Sequence, residues 1–377
     1  MKRDPYFIKS VAHAAQLISA FESPGEILSQ HELIRRSGLS RSIVHRVLYT
    51  LEKGRMVEKP GAHEYRLLVQ LPHKIKWKIG YGSPGIESTF VREVTQSLRV
   101  AVERSPEIEM EVLDHRYKPS VSLHNTEQFI RDGVNLVIEY QIDAHIVAMI
   151  ANRYREADIP VIVVNNPYPG ATYFGANNYE AGLIGGRYLG RWAKATWNGQ
   201  VDEIVMVELA KAGTIPKTRL TGMVSGIREV LGNLVDSVPV VYIDGNGQFE
   251  SSWAAMRKHL RKSPARRVLI GAMNDGSALG ALRAYEEAGR LDGCAVMGQN
   301  GSPEGRCELR RPHTRLVGSV AYFPETYGDG LARLALEILN RRSVPPAVFT
   351  RHQLLTSANV DHVYPNDSLL GPTAIAA

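Results

Sequence analysis

The sequence predicts an α/β protein in two parts: a small helical module ending in a hairpin, then a two-lobed unit built on parallel sheets. Three observations carry that reading. Around Gly38-Leu39-Ser40-Arg41-Ser42-Ile43-Val44-His45-Arg46, a glycine suited to a left-handed turn and a capping serine separate two short amphipathic segments. After about residue 76, short apolar runs alternate with stretches of helical period, the pattern of strand–helix–strand crossovers. Charge divides at the same place: residues 1–78 hold 14 Lys+Arg against 7 Asp+Glu, a net of +7, whereas residues 79–377 hold 31 against 32, a net of −1.

Val11, Ala14, Ala15, Ile18 and Phe21 recur at helical spacing and predict a first helix that stops at Ser23-Pro24-Gly25. Ser29 with Glu32 three residues on makes a capping box for a second helix ending near Ser37. Gly38 turns the chain, and Ser40 caps a third helix whose Val44, Val47, Leu48 and Leu51 face inward. Arg41, Ser42, His45, Arg46 and Tyr49 are left on its outer side. Residues 56–67 read as two short strands around Pro60-Gly61, a hairpin wing. Seven excess basic charges on such a module suit a polyphosphate surface, because each neutralised phosphate releases condensed counterions.

This order, with Ser40, Arg46, Leu48, Leu51, Glu52 and Gly54 in register, resembles the winged helix-turn-helix of IclR-type bacterial regulators over residues 6–68. The resemblance implies that Arg41, Ser42, His45 and Arg46 enter the major groove of double-stranded DNA, with Ser40 and Tyr49 beside them among the DNA-binding residues. Lys59 and His63 would approach from the wing. Arg46 paired with Glu52 or only clamping phosphate, a merely solvated His45 and a Tyr49 packed on the first helix stand as alternatives, and base contact by Arg41 and His45 stays open, since many protein–DNA hydrogen bonds go to phosphate or sugar.

Residues 68–78, with Pro72, read as a linker, which divides the chain into 1–72 and 73–365 with a flexible tail at 366–377. Strand-like runs at 78–81, 109–113, 136–138 and 161–164 predict one lobe; runs at 204–207, 240–243, 268–271 and 295–298 predict a second. Two such lobes place their strand ends around a common cleft, where open α/β sheets bind ligands.

Five segments come in the order seen in type I periplasmic sugar-binding proteins and the cores of lactose-repressor-type regulators. They are Asp158-Ile159-Pro160-Val161-Ile162, Asn177-Asn178-Tyr179-Glu180-Ala181-Gly182, Arg219-Leu220-Thr221-Gly222, the stretch from Asn274 to Ala281, and Gly298-Gln299-Asn300-Gly301-Ser302-Pro303. The resemblance covers residues 76–364, with lobe 1 at about 76–178 and 323–350 and lobe 2 at about 179–322 and 351–365. It implies a small polar, sugar-like effector held by Phe90 as an aromatic platform and by Glu87, Asn165, Asn166, Lys217, Asn274, Asn300 and Tyr322. Asn300 stands where the family commonly has Asp, and Asn165 and Asn166 where it often has Asp and Arg. Purely structural roles stand beside these assignments: Asp275 as a helix cap, Arg219 packed beneath the cleft and Phe90 as ordinary core, while Phe249 and Trp253 either reach the cleft or, as their helical spacing favours, are buried.

Other classes are disfavoured. Gly80-Tyr81-Gly82-Ser83-Pro84-Gly85 matches a dinucleotide-binding pattern, yet the next strand-end acid, Asp114, lies 34 positions after Gly80 where about 20 is expected. An NAD-type oxidoreductase and a sugar receptor without DNA function remain the alternatives to a ligand-responsive, DNA-binding transcriptional regulator. No catalytic constellation, cofactor or metal site is expected. Cys294 and Cys307 lack zinc or disulfide-framework spacing. With no apolar signal core and no run of roughly 18 apolar residues, the expectation is a cytoplasmic protein off the membrane that works as a homodimer.

Overall fold

The computed structural model of the protein describes residues 7–22, 25–68, 76–85 and 87–369. These fall into two compact units, divided between residues 74 and 75. The predicted stop at Ser23-Pro24, most of the linker including Pro72, and residues 370–377 lie outside the described residues.

The first unit runs α1 (Lys9–Ile18), β1 (Ile27–Ser29), α2 (Gln30–Ser37), α3 (Arg41–Lys53), β2 (Val57–Gly61) and β3 (Glu64–Leu67). Its strands form an antiparallel sheet in the order β1-β3-β2, so the wing is tied back to the segment before α2. Ser29 Oγ accepts the Glu32 N–H at 3.1 Å. The Glu32 carboxylate turns away from the reciprocal half of the box and binds Arg35 and Arg36. Gly38 takes φ 66° and returns its N–H to Ile34 O at 3.0 Å, the left-handed stop that the turn needs. Ser40 occupies the N-cap of α3 without a side-chain cap bond, its hydroxyl lying 3.3 Å from Ser42 Oγ.

Leu17, Phe21, Leu28, Leu33, Leu39, Val44, Leu48, Leu51, Val57, Tyr65 and Leu67 fill the core of this unit. The first helix is turned from its expected phase: Leu17 points inward, and Val11 and Ala15 are exposed.

The second unit opens with β4 (Trp77–Ser83), α4 (Thr89–Glu103), β5 (Ile108–Asp114), α5 (Pro119–Arg131), β6 (Leu136–Glu139), α6 (Val147–Glu156), β7 (Val161–Val164) and β8 (Thr172–Gly175). The chain then crosses to a second lobe through α7 (Asn178–Trp197), β9 (Glu203–Glu208), α8 (Thr214–Leu231), β10 (Val240–Asp244), α9 (Phe249–Leu260), β11 (Val268–Ala272), α10 (Asp275–Glu287), β12 (Cys294–Asn300), α11 (Pro303–Leu309) and β13 (Leu316–Ala321). It returns with α12 (Tyr327–Leu339) and β14 (Ala347–Phe349), and crosses a third time into β15 (Gln353–Leu355) and α13 (Val360–Val363).

The sheet of the first lobe is parallel throughout, in the order β14-β8-β7-β6-β4-β5. That of the second is β10-β9-β11-β12-β13-β15, parallel except for the last strand. Each sheet is covered on both faces by apolar clusters, as parallel strands require. Among the described residues no helix is long and apolar enough to cross a membrane.

The three crossings meet around Tyr322 and His352. The Asn177 N–H donates to His352 Nε2 at 3.0 Å, and the His352 ring packs edge-on against Tyr322 at 5.2 Å. Burial, helped by Arg219, lowers His352 to about 4 and keeps that nitrogen an acceptor at neutral pH. The segment expected to be a free tail starts in a 3-10 turn, Pro365–Leu369. Its buried Asp367 binds Arg306 at 2.7 Å and Arg310 at 3.0 Å, which holds residues 365–369 to the second lobe.

Glu93 on α4 is poorly provided for. Among the described residues its buried Oε2 has no hydrogen-bond partner, and burial raises its carboxyl to about 7 against the pull of Arg306, with Glu325, Glu304 and Asp367 pushing the same way as burial. The folded state therefore binds more protons here than the unfolded chain between about pH 4.5 and 7, and stability falls as pH rises through that window. Glu93→Gln should raise Tm at pH 8, with the gain shrinking to nothing near pH 4.5. Melting curves across that range check it; a gain independent of pH would mean that Glu93 is not the titrating group.

Candidate functional site

In the first unit, Arg41, Ser42, His45, Arg46 and Tyr49 all lie exposed along one side of α3, with Ser40 exposed at its start and Lys59 and His63 exposed on the wing. Among the described residues Arg46 makes no ion pair, so the Glu52 alternative is not formed; Thr50 Oγ1 donates to its carbonyl at 2.9 Å. Tyr49 is 60% exposed, with Lys53 Nζ 5.6 Å over its ring, so it is not packed on α1. A row of hydroxyl, imidazole and guanidinium groups thus stands clear of the protein on one short helix.

In the second unit a cavity of about 110 Å³ lies between the lobes. Phe90, Asn165, Asn166, Asn274, Asn300 and Tyr322 all border it, brought together from both lobes by the ends of strands and the starts of helices. A wider outer compartment of about 320 Å³ shares Phe90, Asn274 and Asn300 and adds Glu87 and Phe249. Phe249, expected to be buried, is 39% exposed there. Trp253, one turn on, is partly covered and donates Nε1–H to Glu287 at 2.9 Å.

Lys217 borders neither compartment. It is two residues before Arg219 on α8, which turns it roughly 200° away around the helix. Its ammonium sits 2.7 Å from Glu208 and 4.8 Å over the Tyr242 ring, and the hydrogen bond to Glu208 raises its pKa. Arg219 borders the cavity in its place.

The lining residues divide by what their polar atoms already do. Asn274, not Asp275, is the N-cap of α10: its Oδ1 accepts the Ser277 N–H at 2.8 Å and its Nδ2 donates to Gly247 O at 2.9 Å. Asp275 is wholly buried, accepts from Ser302 N at 2.6 Å and Ser319 Oγ at 2.5 Å, and is raised to about 6 by burial. Asn165, at φ 61°, ties Ala176 N at 3.2 Å to the Tyr140 hydroxyl at 3.3 Å. Asn166 donates to Gln141 O at 3.3 Å. The Tyr322 hydroxyl donates to Gln299 at 2.6 Å, which leaves its ring as wall, with Phe90 edge-on at 6.3 Å and the Arg219 guanidinium 4.8 Å over its face.

Asn300 differs from the other asparagines. It holds φ 102°, a conformation uncommon for a residue with a Cβ, and among the described residues its side-chain amide has no partner. It is the amide most free to meet a ligand.

Tyr140, Gln141 and Ser88 border the cavity without having been singled out. Tyr140 and Gln141 directly follow β6, so a polar residue just past a strand end was the available signal.

The Gly80–Gly85 run has no room for a pyrophosphate. A Cβ on Gly80 would meet Phe129 at 2.7 Å, one on Gly82 would meet His115 at 2.6 Å, and one on Gly85 would meet Glu87 and Tyr117 at 2.5 Å. These glycines make space for side chains of the lobe itself.

Comparison with known proteins agrees with this geometry. A family profile described as the periplasmic binding protein domain matches residues 79–343, and one described as the IclR helix-turn-helix domain matches residues 10–61. The ribose import binding protein RbsB of Salmonella typhimurium is 23% identical over 236 residues, which cover 62% of this chain and 75% of that protein. A solute binding protein from Bacillus halodurans, solved with bound myo-inositol, superposes with a TM-score of 0.68 at 20% identity over 78% of this chain and 98% of that one. One from Actinobacillus succinogenes, solved with bound D-allose, gives 0.66 at 17% identity over 76% and 100%. With the matched region spanning both lobes and the cleft between them, the chain belongs to the periplasmic binding protein domain family and carries an IclR helix-turn-helix domain before it in sequence.

Proposed function

We propose that this protein is a ligand-responsive transcriptional regulator whose cleft takes a small sugar-like effector and whose first unit reads double-stranded DNA. The observation that carries the reading is the pairing, in one chain, of an exposed basic helix with a two-lobed cleft whose wall carries both aromatic rings and side-chain amides. A polyol needs donors and acceptors for its hydroxyls and an aromatic face for its C–H surface. The relatives named for ribose, myo-inositol and D-allose support that ligand class.

Effector binding would favour closure of the lobes about the Tyr322–His352 crossing and so bias the spacing of two DNA-reading helices in a homodimer. A cytoplasmic location follows from a DNA target. Selection from a random duplex library with the full chain, with and without sugars, tests this, followed by footprinting and light scattering. The expected result is a dimer protecting a pseudo-palindrome with half-sites about 10 base pairs apart or a multiple of it, at an affinity that a bound sugar changes. A chain that binds sugar and selects no duplex would be a receptor without DNA function.

Arg46→Ala should weaken binding to the selected site and reduce the slope of log affinity against log salt by about 0.9 if it neutralises one phosphate. Anisotropy titrations at several salt concentrations measure the slope. Unchanged affinity and slope would remove Arg46 from the contact surface.

A further inference from the structure

The inner cavity carries a charge that lies over the Tyr322 ring but meets no carboxylate among the described residues. Arg219 is 8% exposed and borders the cavity. Its Nε and Nη2 donate to Asn178 Oδ1 at 3.2 and 2.7 Å, and its Nη1 to Met273 O at 2.5 Å. All three bonds end on neutral oxygens. A guanidinium has five N–H groups, so one remains on each terminal nitrogen.

Among the described residues Arg219 has no carboxylate partner, and none of the residues lining the cavity is Asp or Glu. The same unit treats its other buried arginine differently: Arg306 is met by Asp367 at 2.7 and 3.0 Å. A buried charge without a counter-ion is costly unless something else supplies one. Where the wall could have offered acids it offers Asn165, Asn166 and Asn300. The acids of the cleft, Glu87, Asp275 and Glu304, border the outer compartment instead. The cleft is cationic within and acidic at its mouth.

We propose that the effector is a polyol bearing one carboxylate, a sugar acid of the aldonate or uronate class, with its carboxylate on the two remaining N–H groups of Arg219 and hydroxyls reaching Asn300. This rests on the reading of the cleft as a polyol site. A carboxylate matches the planar fork of one guanidinium. A phosphate, carrying between one and two charges, would find a single cation, since Lys217 is bound to Glu208 outside the cavity.

Calorimetric titration of the full chain with matched probes tests it: gluconate against glucose, galacturonate against galactose, and the corresponding 6-phosphates. At least one acid should bind about tenfold or more tightly than its neutral partner, and added salt should narrow the difference. Asn300→Asp places a carboxylate on the wall that meets the ligand, where among the described residues the asparagine amide has no partner to lose, and should lower the ratio of acid to neutral-sugar affinity about tenfold.

A wild-type protein that binds neutral sugars as tightly as their acids overturns the proposal and leaves the sugar-effector reading standing. Preference for the phosphates overturns the carboxylate. Binding of none of these probes overturns both the proposal and the reading beneath it. The wild-type comparison decides the matter even if the variant fails to fold.

Discussion

Gly186→Val should leave no folded second unit, and Gly186→Ala should lower its melting temperature by roughly 6–12 °C, taking about 3 kcal/mol for the clash. Helices α7 and α8 touch backbone to backbone through glycines four residues apart. A Cβ on Gly182 would lie 1.8 Å from Arg219 O, one on Gly186 2.0 Å from Met223 O, one on Gly222 2.2 Å from Tyr179 O and one on Gly226 2.6 Å from Leu183 O. The obstacles are main-chain atoms, so no rotamer change relieves them and the helices must separate. Separation would pull Arg219 from Asn178, to which it is bonded at 2.7 Å, and take the cavity's cation with it. Gly276→Ala is the control: its Cβ would meet nothing closer than 3.7 Å, and in the first turn of α10 the change should be neutral or slightly stabilising. Thermal melts of the three variants read the difference. An unperturbed Gly186→Ala would mean that the helix seam is looser than the geometry requires.

What could be read from the sequence, and what could not, follows from how local each cause is. Gly38 and Ser29 act on atoms within four residues, and both do what their residue types imply. The strands of both lobes are legible because a parallel strand buried on both faces must be an unbroken apolar run. The phase of α1 is not, because apolar residues lie on more than one side of a ten-residue helix and contacts with α2 and α3 choose Leu17 over Val11.

Asn274 and Asp275 are equally competent caps one residue apart, and the choice rests on Ser302 and Ser319 claiming the aspartate from 27 and 44 positions away. Lys217 and Arg219 are both cations near one motif, and only the helix phase tells which borders the cavity. The glycines of the Gly80–Gly85 run are explained by Phe129 and His115, residues on other elements, so the run looks like a phosphate loop until the fold is known.

His115→Ala should be among the most damaging single substitutions in the first lobe, costing about 3–5 kcal/mol and therefore a melting-temperature drop of roughly 6–20 °C. Glu139, at the end of β6, is wholly buried. Its Oε1 lies 2.7 Å from His115 Nε2, and its Oε2 accepts the Tyr154 hydroxyl at 3.3 Å. On the far side of the ring, Asn125 Nδ2 donates to His115 Nδ1 at 3.1 Å, so the ring proton sits on Nε2 and is given to the carboxylate.

Removing the imidazole strands a buried carboxylate with one long hydrogen bond and empties the space that Gly82 leaves for the pair. Glu139→Gln keeps the shape and one acceptor and should cost only about 1–2 kcal/mol. The ordering of the two variants is the test, since a pair that merely filled volume would suffer alike from both in proportion to the atoms lost. Tyr140 and Gln141 follow Glu139 directly and form part of the cavity wall, with Gln141 Oε1 accepting the N–H groups of Ile142 and Asp143 at 2.9 Å. Loosening the end of β6 should therefore weaken ligand affinity in His115→Ala even below its melting temperature, whereas Glu139→Gln should bind nearly as the wild type does.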